Sequence, residues 1–391
     1  MEGARARARL KPRVTAAAAV GCTLVVAHFA PASADDGTPS VTVGGGIITN
    51  YFHCETACIN SPGAPGASGG SVDGFAVESV RLYINGSITS QLKMTFNTEY
   101  TGTGSEPGDN KVAVLDAIAR FEYSSSLNLW GGRFLPPSDR ANFYGPYFAN
   151  DWAPYADGVA GYYPNVFGGR DNGAGYWGDF GPLKVQAGAF DGESLNSAVN
   201  DKHKLLEAAR LMWDFLDKES GYYLNGTYYG DKDVVALGLA AQSQNGHTGW
   251  NLDGLLDKRL GSAGVLTVET DYQHDDGLAG PAVSHGWYAL ASYLFARPVG
   301  WGKIQPLVKY SDKCYESGYA VTSTSRTSGG TVIPTYLPGY VLKTTEVNLN
   351  YIIKEFNARV GLYYLHQSST LPATLVEPAP KEFGLEIQLQ M

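Results

Sequence analysis

The sequence predicts an all-β protein that forms a transmembrane antiparallel β-barrel of about 16 strands. Three observations lead to this prediction: segments in which apolar and polar residues alternate, short and long connections between those segments, and an N-terminus typical of exported proteins. Beyond that N-terminus no stretch approaches the ~20 apolar residues of a membrane helix, so a membrane-spanning structure would have to be built from strands.

Residues 1–34 have the layout of a secretory signal peptide. Basic residues precede an apolar stretch from Val14 to Pro31, and the small residues 32–34 follow as a cleavage site. We therefore expect two regions, a signal peptide at 1–34 and an outer-membrane barrel domain at 35–391. An uncleaved membrane anchor is the alternative, although the apolar stretch is Ala-rich and short for a bilayer span.

Composition excludes some partners and favours export. The N-terminal region holds five basic residues and one acidic residue, so its removal changes the formal net charge from −9 to −13. A chain this acidic is not expected to bind nucleic acid. The counts of Gly 48 and Tyr 25, against Cys 4 and Met 4, suit an exported protein of strands and turns.

Two cysteines, Cys54 and Cys58, lie close together in a segment rich in Gly, Pro and Ser. In an oxidising compartment they are candidates for a local disulfide. A metal site of His53, Cys54 and Cys58 is the alternative, but it lacks an evident fourth ligand. We therefore expect no metal and no cofactor.

Alternation with a period of two is the main structural signal, because successive side chains of a strand face opposite sides. Between residues 91 and 100, Leu92, Met94 and Phe96 share one face, while Lys93 and Thr95 share the other. The last segment, 381–391, alternates in the same way. A barrel wall in lipid needs this pattern, with apolar residues outside and polar residues inside. A soluble β-sandwich would also alternate.

Sixteen such segments are predicted as strands, with lengths near the ~10 residues of tilted spanning strands. They are 41–51, 78–87, 90–100, 112–123, 127–134, 173–180, 183–190, 205–215, 232–243, 250–258, 263–274, 285–295, 303–312, 341–354, 356–366 and 381–391.

Connections of two lengths alternate between these strands, as in barrels with short periplasmic turns and long external loops. The long ones are 52–77, 135–172, 191–204, 313–340 and 367–380. Segment 216–231 fits worst, because it is long where a short turn is expected. Residues 204–216 also match an amphipathic helix, and this alternative stays open.

Common catalytic motifs are absent from the sequence, among them G-x-S-x-G, H-E-x-x-H and a phosphate-binding Gly loop with its Lys. The run His274-Asp275-Asp276 has acid/base character but lies in a predicted loop, and we interpret it as a solvated turn. We do not expect an enzyme.

Several short motifs occur together in a characteristic order. They are RLYING at 81–86, GGRFLPP at 131–137, GAFDG at 188–192, GWYALASY at 286–293 and QPLVKY at 305–310. With them, the chain from about residue 78 to its end resembles the phosphate-selective porin family, of the porin O and P type. This resemblance implies a sixteen-stranded homotrimeric barrel in the outer membrane of a Gram-negative-type bacterium. It also implies a long third loop folded into the pore, here 135–172.

The expected function is therefore that of a porin, a water-filled channel for passive diffusion of small hydrophilic solutes or ions. Its expected partners are outer-membrane lipid, those solutes and further copies of the chain. Phosphate capture would call for Arg and Lys along the path, and this acidic chain shows no dense lysine cluster, so phosphate selectivity is not expected. A secreted soluble β-rich binding or adhesion protein is the alternative.

Candidate pore residues come from the polar strand faces and from the long loop 135–172. Bases on the wall are expected to face acids on the loop and to set a transverse field across the pore. The candidates are Arg81, Lys93, Arg120, Glu122, Arg133, Asp139, Arg140, Asp151, Asp157, Arg170, Asp171 and Lys184.

Overall fold

The computed structural model describes most of the chain beyond the N-terminal region. The described residues are 39–55, 58–59, 70–100, 112–156, 159, 169–192, 204–278, 283–316, 321–326, 332–336, 338–371 and 380–391. The predicted signal peptide and Asp157 lie outside them. Within the described residues, no helix is both long and apolar enough to cross a membrane.

Among the described residues, sixteen antiparallel strands close into one barrel, which confirms the predicted fold class. Each strand pairs with its neighbours in the ring, and the first strand closes it by pairing with the last, from Gly46 opposite Gln390 to Cys54 opposite Glu382. Closure leaves no free sheet edge. The barrel strands are β1 (Ser40–Cys54), β2 (Val72–Ser87), β3 (Leu92–Tyr100), β4 (Val112–Ser124), β5 (Leu127–Phe134), β6 (Asp171–Phe180), β7 (Leu183–Phe190), β8 (Leu206–Asp214), β9 (Val234–Gln244), β10 (His247–Arg259), β11 (Gly264–Asp276), β12 (Val283–Phe295), β13 (Lys303–Tyr315), β16 (Tyr340–Lys354), β17 (Ala358–Ser369) and β18 (Lys381–Gln390).

The structure decides one open alternative and corrects one local prediction. Residues 206–214 form strand β8, as predicted for 205–215, and not the alternative helix, since Leu206, Ala208 and Met212 alternate inward with a period of two. The loop 313–340 contains strands β14 (Val321–Arg326) and β15 (Val332–Tyr336), which pair with each other outside the barrel sheet. Strand β13 therefore pairs directly with β16.

The two ends of the barrel differ in their connections. At one end, which we call the turn end, the links include 125–126, 181–182 and 260–263. The opposite end, the loop end, carries 55–71, 135–170 and 316–339. The segment 215–233, between β8 and β9, is the long exception at the turn end. A two-residue turn, Asn245-Gly246, is the short exception at the loop end, and both its residues have positive φ, as a tight hairpin requires.

The wall alternates as predicted, with apolar side chains outside and polar side chains inside. In β18, Glu382, Glu386 and Gln388 are buried inside the barrel. Large exposed apolar residues lie on the outward faces: Leu237, Leu239, Val308, Val347, Leu349, Leu362, Phe383 and Leu389. The inward charges of β10 and β11 are also buried, including Asp253 and Asp271, because chain segments inside the barrel cover them.

Candidate functional site

One chain segment enters the barrel from the loop end. We call residues 135–156, the main described part of the candidate loop 135–172, the lumen loop. It contains helix α1 (Arg140–Tyr144) and a 3-10 turn (Pro146–Phe148). The side chain of Asp139 caps α1 by accepting a hydrogen bond of 2.8 Å from the Asn142 backbone N–H. This cap satisfies a donor that the start of a helix otherwise leaves free.

The lumen loop is bound to the inner wall on the side of β13 and β16–β18. Trp152 Nε1 donates to Asn350 Oδ1 at 2.6 Å, and Arg359 Nη1 donates to the Ala149 carbonyl at 2.8 Å. The Trp152 ring passes so close to Gly361 on β17 that a Cβ at that position would overlap with it. Glycine at 361 therefore makes room for the loop.

A second segment enters from the turn end. We call residues 215–233 the connector, because it joins β8 to β9. Tyr222 and Leu224 are buried in the same apolar cluster as Phe143 of the lumen loop and Trp130 of the wall. The Gly226 N–H donates to the Phe148 carbonyl at 2.9 Å, so the connector and the lumen loop contact each other inside the barrel.

An ion pair joins the two inserted segments. Arg140 Nη1 of the lumen loop donates to Glu219 Oε1 of the connector at 2.9 Å, and both side chains are fully buried. Although burial alone would raise the pKa of Glu219, the Arg140 guanidinium and hydrogen bonds from Arg140 and Tyr228 hold that pKa below its ordinary value. The pair is therefore charged in a site that excludes water.

The predicted wall residues mostly lie inside the barrel. Arg81 pairs with Glu99 on β3, and its guanidinium lies 5.0 Å from the ring centroid of Tyr147. Lys93 Nζ lies 2.9 Å from Glu122 Oε2, and Arg120 Nε lies 3.7 Å from Glu122 Oε1.

Lys184 is also inside, but it serves the connector. Its ammonium donates to the carbonyls of Glu219 and Gly221, the latter at 2.5 Å. The side chain is therefore a structural contact of the connector and does not line open space.

Arg133 is the exception, and its assignment to the lumen is wrong. It stands opposite Ala117 and Asn172, which are exposed on the outer face, and its Nε donates to the Val114 carbonyl. Trp130 and Phe134 on the same strand are buried inside. Since the period is two, Arg133 must point outward.

Among the described residues, the expected transverse field between wall bases and loop acids is not formed, and Asp157 lies outside them. Asp139 caps a helix, and burial raises its pKa to about 7. Asp171 accepts hydrogen bonds from the backbone N–H groups of Asn172 and Gly192. Asp151 pairs with Lys309 at 2.9 Å. These acids are bound locally and do not face open space.

Arg170 completes the set of predicted loop charges. Its Nε lies 3.1 Å from Asp116 Oδ1 on β4, so it holds the end of the loop 135–172 against the wall.

Cavities that the described residues line inside the barrel include two on the side of β1–β5. The upper cavity, toward the loop end, measures about 250 Å³ and is lined by Glu78, Ser79, Glu99, Pro146, Tyr155 and Glu386. The lower cavity, toward the turn end, measures about 550 Å³, and its lining includes Tyr83, Asn97, Arg120, Trp130, Phe148 and Tyr223.

The contact between Arg81 and Tyr147 lies between the two cavities. On β2, Ser79 lines the upper cavity and Tyr83 the lower one, with Arg81 between them. On the lumen loop, Pro146 and Phe148 flank Tyr147 in the same way. Wall and loop therefore meet at this level, which is the candidate constriction.

Sequence reasoning missed the carboxyl groups of the upper cavity and the whole connector. The available signal for the connector was its length, which was wrong for its place in the alternation of links. No local pattern marked Glu78 and Glu386, because each is one polar residue among several on an inward face.

The structure forms a disulfide between Cys54 and Cys58, with the Cα atoms 5.3 Å apart. It closes a short segment at the loop end, where the Ile59 N–H donates to Glu382 Oε2 at 2.6 Å. With both sulfurs in the disulfide, the predicted alternative of a metal site has no free thiolate from these two residues.

The run His274-Asp275-Asp276 ends strand β11 and does not lie in a loop. The Asp275 carboxylate accepts a hydrogen bond of 2.7 Å from the Leu278 backbone N–H, an arrangement typical of a strand end.

Comparison with known proteins shows a shared fold at low sequence identity. No family model and no curated protein sequence matches the chain. The outer membrane channel DcaP of Acinetobacter baumannii is similar with a TM-score of 0.56 and 10% identity, over 92% of this chain and 99% of that one. OmpT of Vibrio cholerae, an outer membrane protein, has a TM-score of 0.52 and 12% identity over 92% and 99%.

An anion-selective porin from Comamonas acidovorans is similar with a TM-score of 0.51 and 15% identity, over 90% of this chain and 100% of that one. The coverage is nearly complete in each of these comparisons, so the likeness extends to the whole barrel. The chain has the sixteen-stranded barrel fold found in outer-membrane porins and channels.

Proposed function

We propose that this chain is an outer-membrane porin of a Gram-negative-type bacterium, through which small hydrophilic solutes or ions diffuse passively. One observation carries the proposal: the closed barrel has exposed apolar side chains on its outer face, and polar side chains and cavities inside it. Exposed rows of Leu and Val are costly in water and favourable in lipid. A soluble binding protein would need a polar outer face, so this observation favours the porin over that alternative.

The finer assignment to a phosphate-selective porin is not part of the proposal. The upper cavity is lined by the carboxyl groups of Glu78, Glu99 and Glu386, of which Glu99 is paired with Arg81. Phosphate capture calls for unpaired bases along the path, and Arg81, the base at the candidate constriction, already has Glu99 as its partner. We infer a channel for small solutes without preference for phosphate.

A homotrimer is the expected assembly, as the resemblance to porins implies. The outer face of β1, β2 and β18 holds a groove lined by Tyr51, Phe75, Leu385 and Ile387, and Phe75 is 86% exposed. A neighbouring protomer or lipid tails would cover this apolar surface. The mass of the detergent-extracted protein, measured by light scattering, distinguishes a trimer from a monomer.

Single-channel recording in a planar bilayer under a salt gradient tests the porin. We expect stepwise, ohmic openings, and a silent bilayer with folded protein would contradict the proposal. Arg120→Gln removes an inward charge and should shift the reversal potential toward cation preference. Arg133→Gln is the matched control: it removes the same charge from the outer face, and the reversal potential should not change.

A further inference from the structure

The lower cavity has the chemistry of a binding site. We propose that it binds a neutral, polyhydroxylated solute of the size of a mono- or disaccharide as that solute passes through the barrel. The inference rests on the proposed porin function and adds a solute class to it. A volume of about 550 Å³ accommodates such a molecule.

Aromatic rings from three separate parts of the chain line this cavity. Tyr83 comes from strand β2, Phe148 from the lumen loop and Tyr223 from the connector, and all three are only partly buried. Tyr83 and Tyr147 pack edge to face, with ring centroids 6.3 Å apart, and this contact fixes the Tyr83 ring. Ring faces present flat apolar surface at low entropic cost, which suits the C–H face of a sugar ring.

Polar side chains lie beside these rings. Asn97 and Arg120 line the cavity, and the Asn97 amide nitrogen donates to Asp116 Oδ2 at 2.8 Å, which fixes the amide. Arg120 Nε lies 3.7 Å from Glu122 Oε1, so this base is held at the wall. Amide and guanidinium groups together offer acceptors and donors to a ligand whose hydroxyl groups both donate and accept.

Neutral amide side chains make up part of this polar lining, and Asn97 is one of them. Asn85, which is exposed inside the barrel, contributes a further amide group near Asn97, since its Oδ1 accepts from Thr95 at 2.8 Å.

The wall bases along the path already have acidic partners within the chain. Arg81 pairs with Glu99, and Arg120 lies beside Glu122, which also binds Lys93. A charged solute therefore finds no unpaired countercharge on these side chains, whereas a neutral solute needs none.

Recordings in a planar bilayer with D-glucose as the probe test this inference. Glucose is expected to reduce the ionic current with saturation and to add concentration-dependent current noise. Triethylene glycol, a neutral probe of similar size with few hydroxyl groups, should lower the current only in proportion to bulk conductivity. Asn97→Ala and Phe148→Ala should each weaken the glucose effect about three- to tenfold, whereas Arg133→Gln should leave it unchanged.

The outcomes separate this inference from the porin proposal. Ohmic openings that glucose and triethylene glycol reduce equally would overturn the sugar site and leave the porin. Saturable block by inorganic phosphate without block by glucose would overturn it as well. A bilayer that stays silent would overturn the porin itself. Heat-modifiable electrophoretic mobility shows whether each variant has folded.

Discussion

Two segments enter the barrel from opposite ends, and they differ in how clearly their sequences predict this. The lumen loop is long, aromatic and placed where long loops are expected. The connector enters from the turn end, where neighbouring links have only two to four residues, as at 181–182 and 260–263. The two segments nevertheless bury the same kinds of groups. An aromatic cluster with Phe143 and Tyr222 at ring centroids 5.3 Å apart joins them, as does the pair Arg140–Glu219.

The comparison shows that a segment is held inside the barrel by wall residues far away in the sequence, whichever end of the barrel it enters from. Lys184 on β7 binds connector carbonyls, and Gln186 Nε2 donates to the Tyr222 carbonyl at 2.9 Å. These inward side chains satisfy backbone groups that a segment inside a barrel must otherwise leave unpaired. The wall therefore provides a docking surface for the connector, as Asn350 and Arg359 do for the lumen loop.

Breaking the ion pair between the segments should have the largest effect on stability. Arg140→Met leaves Glu219 buried without its partner, and we expect a loss of about 3–5 kcal/mol in the free energy of unfolding. Urea titration in detergent measures it. In Arg140→Met/Glu219→Met both charges are gone, so most of the loss should return. An additive loss in the double variant would contradict a direct coupling of the two segments.

Crowding the lumen loop alone should have a smaller effect. Gly361→Val places a side chain where the Trp152 ring lies, and overpacking of this kind costs about 1–3 kcal/mol. The Trp152 ring should then move away from Asn350, which a change in tryptophan fluorescence would report. Leu362→Val, on the outer face of the same strand, is the control. If the two variants were equally destabilised, the loss would come from the change in strand β17 and not from the contact with the lumen loop.

A pH dependence should distinguish the lumen loop from the connector. Burial raises the pKa of Asp139 to about 7 in the folded protein, above its ordinary value of 3.8. Between these values the folded state binds a proton that the unfolded state has released, so stability should fall as pH rises, by about 1 kcal/mol from pH 5 to pH 6. Asp139→Asn keeps the helix cap and should reduce the slope of this part of the pH profile, to which other buried carboxyl groups such as Glu269 also contribute. An unchanged profile would contradict the assignment.

The sequence predicted the wall well and the interior only partly. Each of the sixteen barrel strands overlaps a segment predicted from alternation, because a barrel in lipid repeats one local pattern along its whole length. The bounds differ most at the predicted connection 52–77, into which β1 extends to Cys54 and β2 from Val72. Residues 206–214 could be assigned to strand or helix from sequence, and only pairing with β7 and β9 decides. The buried pairs Arg140–Glu219 and Asp151–Lys309 join residues far apart in the chain, so no local pattern contains them.

Arg133 teaches a separate point about faces. Its polarity suggested the lumen, but the aromatic neighbours Trp130 and Phe134 belong to the interior cluster and determine which face of the strand points inward. Period two then places Arg133 outside. In this barrel, aromatic residues lie on the inner face of the wall as well as on the outer face, so polarity alone does not assign a face.

One measurement tests most directly whether two segments share the barrel interior: the single-channel conductance of a variant with a shortened connector. The Asp217 N–H donates to the Asp233 carbonyl at 2.9 Å, so residues 218–232 can be replaced by an Asn-Gly turn that continues the hairpin. Removal of chain from the lumen should raise the conductance of the folded variant about twofold or more over that of the unaltered chain. A folded variant whose conductance equals that of the unaltered chain would contradict the placement of the connector in the ion path.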